Sequence, residues 1–248
     1  MSKDKLQEQR FELKYIISEQ KAQSMRYFVQ NYLTIDAYGA TQPRRSYPVH
    51  SLYLDSPSFQ TYQDTINGNR NRYKLRVRHY EGDKKGSVFL EMKRRYDRVI
   101  SKKRAEIPRE HLEDIMYGHL PTMDHLVQKT DKQLDSLRYI CRLINMLNAK
   151  PQVHVAYYRE AYELENSNSV RITFDRDVRT EYVKNLRLST DLAKPISVFR
   201  NNVILELKFT NRYPHWMNEM IQIFELRRES AAKYVDGLNR MNHQNTLA

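Results

Sequence analysis

On three separate predicted strands the chain carries Glu-x-Lys, as Glu12-Leu13-Lys14, Glu91-Met92-Lys93 and Glu206-Leu207-Lys208. Residues two apart on an extended chain share a face, so each segment offers a carboxylate and an ammonium to the same side. Arg72, Lys74, Arg76 and Arg78 obey the same parity and line up four bases in one row. Neighbours in that row stand about 6–7 Å apart, a spacing at which like charges repel and something anionic should compensate them. Arginine grips phosphate oxygens as a fork, lysine as a compact charge, and a carboxylate holds a hard cation against the same oxygens. A sheet closed with this face inward would make a pore able to hold phosphate and its metal ion.

The elements that must position these side chains are legible from periodicity. Apolar residues alternate with the charged ones at Phe11, Leu13 and Tyr15, at Tyr73, Leu75 and Val77, and at Val88, Leu90 and Met92. The same alternation recurs at Val170, Ile172 and Phe174 and at Leu205, Leu207 and Phe209, while Lys102, Arg104 and Glu106 share a parity between them. Period two with β-branched and aromatic residues predicts strands whose apolar side packs under helices. Helical spacing predicts a helix capped by Ser18, and a helical region from Pro108 to Asn148, broken near Gly118 and Pro121 and ended by Pro151. A third helix should follow Tyr213-Pro214, and a last one should run from Ser230 to about Asn239, weakened by Gly237. The aromatics Tyr15, Tyr73, Phe89, Phe174 and Phe209 read as packing residues. No repeat, low-complexity tract or linker appears, which predicts one domain over 1–248.

Composition narrows the partners. In 248 residues, 42 Lys and Arg against 30 Asp and Glu give a net charge of +12, which favours polyanions. The six glycines, among them Gly39, Gly82 and Gly86, fall in no dinucleotide or P-loop frame, so any phosphate must be held by side chains. One cysteine, Cys141, excludes an internal disulfide and cysteine-based zinc clusters. His50, His79 and His154 show no metal-ligand spacing along the chain and read as structural. The polar stretch Met1 to Arg10 has no apolar leader core, and no segment approaches the roughly 20 apolar residues of a membrane span. The reading is a soluble, cytoplasmic protein. Nucleic acid is disfavoured, because no RNA-binding signature is present and the bases alternate along strands instead of interleaving with exposed aromatics.

A sheet with one solvated face would produce similar alternation. The ordered set of segments is more specific. Arg10-Phe11-Glu12-Leu13-Lys14-Tyr15, Val49 to Asp55, Arg72 to Tyr80, Phe89-Leu90-Glu91-Met92-Lys93, Tyr157-Tyr158-Arg159, Val170 to Asp175, Ile204 to Phe209 and Lys233-Tyr234 together resemble the VTC domain. This is the polyphosphate polymerase domain of the CYTH-like triphosphate tunnel metalloenzymes. The resemblance implies an α+β fold, a closed antiparallel β-barrel with helices packed around the outside. It implies phosphate binding by Lys14, Arg76, Arg78, Lys93, Arg159, Arg171, Lys208 and Lys233, with Arg72, Lys74, Lys102, Arg104 and Tyr157 as neighbours in the lumen. Arg76, Arg78, Lys93 and Glu206 would be the catalytic set, Glu206 also the ligand of Mn²⁺ or Mg²⁺. Where the family commonly has Ser before the final Lys-aromatic pair, this chain has Ala232, which removes one hydroxyl contact beside Lys233.

The implied reaction passes the γ-phosphoryl group of ATP to the end of an inorganic polyphosphate chain. Glu12 and Glu91 would orient the adjacent bases. A tripolyphosphate or nucleoside triphosphate hydrolase of the same class, and a non-catalytic polyphosphate-binding module, are the alternatives. Acids on the inferred inner face are outnumbered by bases, which favours elongation over hydrolysis. A separate membrane partner is compatible with either.

Overall fold

Between the first strand and the first helix, Ser18 keeps an extended backbone while its hydroxyl accepts from the Lys21 N–H, satisfying one of the unpaired donors of a helix start. In the computed structural model, which describes residues 10–80, 86–97, 99–165, 167, 169–210 and 213–246, this junction joins β1 (Arg10–Ile17) to α1 (Glu19–Val29). The chain continues as β2 (Thr34–Ile35), α2 (Ala37–Ala40), β3 (Tyr47–Asp55), α3 (Gln60–Ile66), β4 (Asn71–Tyr80), β5 (Ser87–Tyr96) and β6 (Val99–Pro108). Short α4 (Leu112–Met116) and long α5 (Asp131–Leu147) lead to β7 (Lys150–Glu163) and β8 (Val170–Tyr182). Then come β9 (Ile196–Ser197), β10 (Val203–Thr210), α6 (His215–Ile223) and α7 (Lys233–Thr246). The α+β class expected from the sequence holds, with antiparallel strands and helices on their apolar side.

The chain divides into two compact units, and β7 and β8 each contribute to both. The first comprises the described parts of Met1–Tyr47, Tyr158–Asp177 and Phe199–Ala231. Its strands follow the order β1-β10-β8-β7, with β2 on β7. The register sets Glu12 opposite Lys208, Lys14 opposite Glu206, and Lys208 opposite Arg171. The alternate residues Tyr15, Leu205, Leu207, Ile172 and Phe174 are buried against Ala22, Met25 and Val29 of α1 and Met217 and Met220 of α6.

The second unit comprises Pro48–Tyr157, Val178–Val198 and the described part of Ala232–Ala248. Its strands run β7-β3-β4-β5-β6, with β9 on β8. Leu52, Leu54, Leu75, Val77, Leu90, Met92, Ala105 and Ile107 are buried against Leu112 and Ile115 of α4 and Leu134, Leu137, Ile140 and Ile144 of α5. Burying each large side chain contributes about 1.5–3 kcal/mol, so the apolar parity fixes which face of every strand turns away from the helices. The packing under helices expected of Leu75, Val77, Leu90, Met92, Ile172, Leu205 and Leu207 is therefore met, and Leu13 is packed at the edge of the first unit's core.

Several sequence expectations need correction. Phe11 is 42% exposed: it lies at the open end of β1 and stacks on Phe209 at 5.3 Å instead of passing under a helix. Helix α5 is closed by Asn148 in the left-handed conformation (φ 47°), whose N–H bonds the carbonyls of Asn145 and Ile144. Pro151 lies within β7. Helix α7 starts at Lys233 and runs through Gly237 to Thr246, because a Cβ at Gly237 would meet Thr180 Oγ1 at 3.1 Å and the glycine permits close packing there. The break near Gly118 is real: α4 ends at Met116, Tyr117 caps it, and Gly118 takes a φ of 92°. Met1 to Gln9 and Gly82 lie outside the described residues. Among the described residues no helix is long and apolar enough to cross a membrane.

Candidate functional site

In the second unit, β3 to β6 bring their charged parity into register. Arg76 is paired with Tyr53 on one side and Glu91 on the other, and Glu91 in turn with Arg104. One step along, Lys74, Lys93 and Lys102 occupy a single row across three strands. Like charges directly opposite are unfavourable in a sheet, and this row stacks three. At the start of β4, Arg72 stands opposite Arg95 and donates to the Asn69 carbonyl at 2.6 Å.

Glu91 is the anion at the centre of this cationic face. It is 2% exposed, receives Arg76 Nε at 2.7 Å and Nη2 at 2.6 Å, and lies 2.5 Å from Lys102 Nζ and 3.6 Å from Arg104 Nε. Burial alone would raise its carboxyl, but Arg76, Arg78 and Lys102 hold it well below the usual carboxylate range. The field of these bases reaches beyond Glu91. The residual field shows at Tyr53, whose buried phenol would titrate high but is brought below the ordinary tyrosine value by Arg76, Lys74 and Arg78. Arg78 is 8% exposed, reaches the Tyr157 hydroxyl at 3.3 Å and Glu91 only at 4.0 Å, and its Nε has no hydrogen-bond partner among the described residues. A buried guanidinium so incompletely satisfied is suited to an incoming oxyanion.

The start of helix α7 is docked here by Tyr234. Tyr234 stacks on Tyr53 at 4.7 Å and donates its hydroxyl to the buried Asp55 at 2.6 Å. Asp55 also accepts from the N–H groups of Ser56, Thr61 and Tyr62 and from Thr61 Oγ1, so it ties the end of β3 to the starts of α3 and α7. The adjacent Lys233 is thereby held buried with its ammonium 4.9 Å from the Tyr157 ring centroid. Phe89 shares the parity of Arg78 and Glu91 and is not a helix-packing residue: the Arg104 guanidinium lies 3.5 Å from its ring centroid.

The first unit gathers the other expected residues, with a different balance of charge. Glu206, 5% exposed, is approached by Lys208 Nζ at 3.0 Å, Lys14 Nζ at 3.4 Å and Arg159 Nη2 at 3.8 Å. Lys14 also lies 3.3 Å from Glu12 and donates to the Ala231 carbonyl. Arg159 makes a bidentate pair with the fully buried Asp175, both bonds at 2.7 Å. Arg171 binds Glu163 at 2.5 Å and Asp36 at 2.6 Å, so its fork is engaged by protein carboxylates. The three-donor clusters with metal-like spacing among the described residues are formed around histidines and do not include Glu206. A hard cation at Glu206 would thus take one carboxylate from the protein and most of its oxygens from phosphate and water, the mode Mg²⁺ favours.

Sequence reading missed two features. Asp55, in the Val49 to Asp55 segment, is given no role by sequence, since its role depends on α3 and α7 folding back on β3. His50, His79 and His154, far apart in the chain, are buried together in the second unit. Burial drives all three down, His50 and His154 to about 4 and His79 to about 3.

The described strands can be compared with solved structures. A Bacillus halodurans protein provisionally described as an adenylate cyclase superposes with a TM-score of 0.50 at 12% identity, covering 90% of this chain and 94% of that one. The PH1819 protein of Pyrococcus horikoshii OT3 matches with a TM-score of 0.44 at 13% identity, over 92% and 98% of the two chains. The Mimivirus capping enzyme triphosphatase gives 0.31 at 11% identity, over 87% and 89%. The first of these likenesses reaches the level at which a fold is shared. No curated protein sequence matches. The family described as VTC domain matches residues 9–242, a span that takes in both charged faces and nearly the whole chain, and the protein therefore belongs to the VTC domain family.

Proposed function

We propose that this chain is a metal-dependent polyphosphate polymerase that transfers the γ-phosphoryl group of ATP to the end of a polyphosphate chain, the whole chain acting as one catalytic domain. The closed β-tunnel expected from the sequence is part of this reading. The observation that carries it is the cationic face of the second unit, where the row Lys74, Lys93 and Lys102 lies beside Arg76, Arg78 and Arg104 with one buried carboxylate between them. No arrangement of solvated surface charge needs a buried, incompletely satisfied Arg78, whereas a phosphate chain supplies the missing acceptors.

In this reaction a terminal phosphate oxygen of the polymer attacks the γ-phosphorus, the bond to the β–γ bridging oxygen breaks, and ADP leaves. No general base is required, because the attacking oxygen is ionised at neutral pH. Arg76, Arg78 and Lys93 align donor and acceptor phosphates and stabilise the charge that spreads over the transferred group. Glu91 keeps Arg76 fixed as a fork, a positioning role. Tyr157, which borders Arg78, and Lys233, which lies against the Tyr157 ring, hold the phosphate chain, with Arg72, Lys74, Lys102 and Arg104 as further contacts. In the first unit Lys14, Lys208, Arg159 and Arg171 add phosphate contacts around Glu206. Mn²⁺ or Mg²⁺ held by Glu206 would supply neutralisation of the phosphate oxygens.

A second reading, hydrolysis of tripolyphosphate or a nucleoside triphosphate, draws on the carboxylates Glu12, Asp175 and Glu206 of the first unit, which are linked through Lys14 and Arg159. Incubating the purified protein with ATP and Mn²⁺ or Mg²⁺, and measuring ADP, free phosphate and polyphosphate together, separates the readings. Polymer with stoichiometric ADP is expected; phosphate without polymer supports hydrolysis, and polymer binding without turnover a binding module. Glu206→Gln should abolish turnover while polyphosphate binding persists.

A further inference from the structure

Strands β3, β4 and β7 each contribute one histidine to a buried cluster in the second unit. His50 and His79 are register partners whose rings stack at 5.0 Å. His50 Nδ1 and His154 Nε2 are hydrogen-bonded at 3.2 Å, and one ring nitrogen from each of the three residues lies within 4.8 Å of the others. His79, only 3% exposed, has an Nε2 with no hydrogen-bond partner among the described residues. Alternation along β4 turns His79 to the side opposite Arg78, so the cluster is separate from the phosphate-binding face.

Packing alone explains this arrangement poorly. A buried imidazole nitrogen with no partner is costly, and aliphatic side chains would fill the same space without that cost. A metal ion satisfies it. With metal–nitrogen bonds of about 2.0–2.1 Å, tetrahedral geometry sets ligand nitrogens roughly 3.3–3.4 Å apart. The His50 to His154 distance already matches, and a modest rotation of His79 completes a facial set of three. Imidazole donors select Zn²⁺, Co²⁺, Ni²⁺ or Cu²⁺ over Mg²⁺ and Ca²⁺. We propose that His50, His79 and His154 form a buried three-imidazole site for a transition-metal ion of the Zn²⁺ class, which cross-links β3, β4 and β7 behind Tyr53, Arg76 and Arg78.

The site is tested on protein refolded from denaturant and chelator with Zn²⁺ or Co²⁺, then dialysed and assayed for bound metal. Glu206→Gln, which lacks the carboxylate suited to a hard cation, and His125→Asn, which breaks the exposed cluster of His111, Asp114 and His125, are the controls. One ion per chain is expected in the wild type and both controls, with the visible absorption of tetrahedral Co²⁺. His79→Phe and His154→Gln, shown to be folded by circular dichroism, should weaken binding at least 100-fold. X-ray absorption on the Zn²⁺-loaded wild type should count three imidazole ligands, whether or not the variants fold. No retained ion in the wild type, fewer than three imidazoles, retention in the folded His79 and His154 variants, or loss in His125→Asn would each overturn the proposal.

Discussion

Glu91→Gln isolates the electrostatics of the cationic face, because it keeps side-chain volume and removes one charge. The carboxylate is 2% exposed and meets Arg76, itself about four-fifths buried, through two contacts at 2.6 and 2.7 Å. Removing one partner of a buried pair costs about 3–5 kcal/mol, and since glutamine still accepts one hydrogen bond the low end applies, about 3 kcal/mol. Lys102 and Arg104 keep more than a third of their side chains in solvent and add little. In a chain of this size that loss lowers Tm by roughly 6–12 °C. The folded-state carboxyl titrates below its unfolded value, so its stabilisation is fully present above the ordinary glutamate pKa and disappears only as pH falls toward the folded-state value. Urea unfolding should accordingly show the Glu91 contribution to the gap between wild type and variant shrinking as pH falls below the ordinary glutamate pKa. Phosphate binding should move the other way. One negative charge about 10 Å from the ligand, at an effective dielectric of 20, contributes roughly 1.7 kcal/mol of repulsion, so tripolyphosphate should bind the variant roughly 15- to 20-fold more tightly. Calorimetry at fixed salt measures this. A stability loss under about 1 kcal/mol together with unchanged tripolyphosphate affinity, relative to the wild type, would refute the reasoning.

Arg78→Ala and Lys93→Ala should each weaken tripolyphosphate binding by about 1.5–3 kcal/mol, roughly 10- to 150-fold, read by the same calorimetry. Arg76→Ala should weaken binding too but also destabilise the fold, because it strands Glu91; a thermal melt as stable as wild type would contradict this. Asp55→Asn should cost about 2–3 kcal/mol by weakening five hydrogen bonds, with faster amide exchange in α7 as the local signature. Ile140→Ala, in the centre of the α5 contact, should cost about 2–5 kcal/mol in urea unfolding and leave tripolyphosphate affinity unchanged below the transition.

Strand parity was the most legible part of this chain, and the reason is energetic. Each of Leu75, Val77, Leu90, Met92, Leu205 and Leu207 is buried almost completely, and a one-residue slip would expose them all, so the pattern of two fixes both the strands and the face on which the charges stand. Helix ends were less legible because they depend on single backbone choices. Proline at 151 looked like the terminator of α5, yet Asn148 had already closed it in a left-handed turn, a conformation available to few residue types besides Gly, Asn and Asp. Gly237 looked like a weak end and is a packing site, because what it accommodates, Thr180, is remote in sequence.

The same contrast governs the site. Parity placed Arg76, Arg78, Lys93 and Lys102 on one face, but it could not tell which of them a protein carboxylate already neutralises. The answer lies in register: Glu91 is flanked by Arg76 on β4 and Arg104 on β6, and a shift of two residues would place it between Lys74 and Lys102 with the apolar faces unchanged. Two-residue shifts are invisible to hydrophobic patterning, so the identity of the compensated base is decided by charge pairing. That gives Arg76 a structural role beside the one proposed for it, while Arg78, one pair further along and opposite Phe89, reaches Glu91 only at 4.0 Å and is the base proposed to meet an external anion. The histidines follow from a three-strand register of the same kind. His50 and His79 meet because β3 and β4 pair in that frame, and His154 joins them from a strand that begins about 100 residues later, a convergence that no spacing rule along the chain can express.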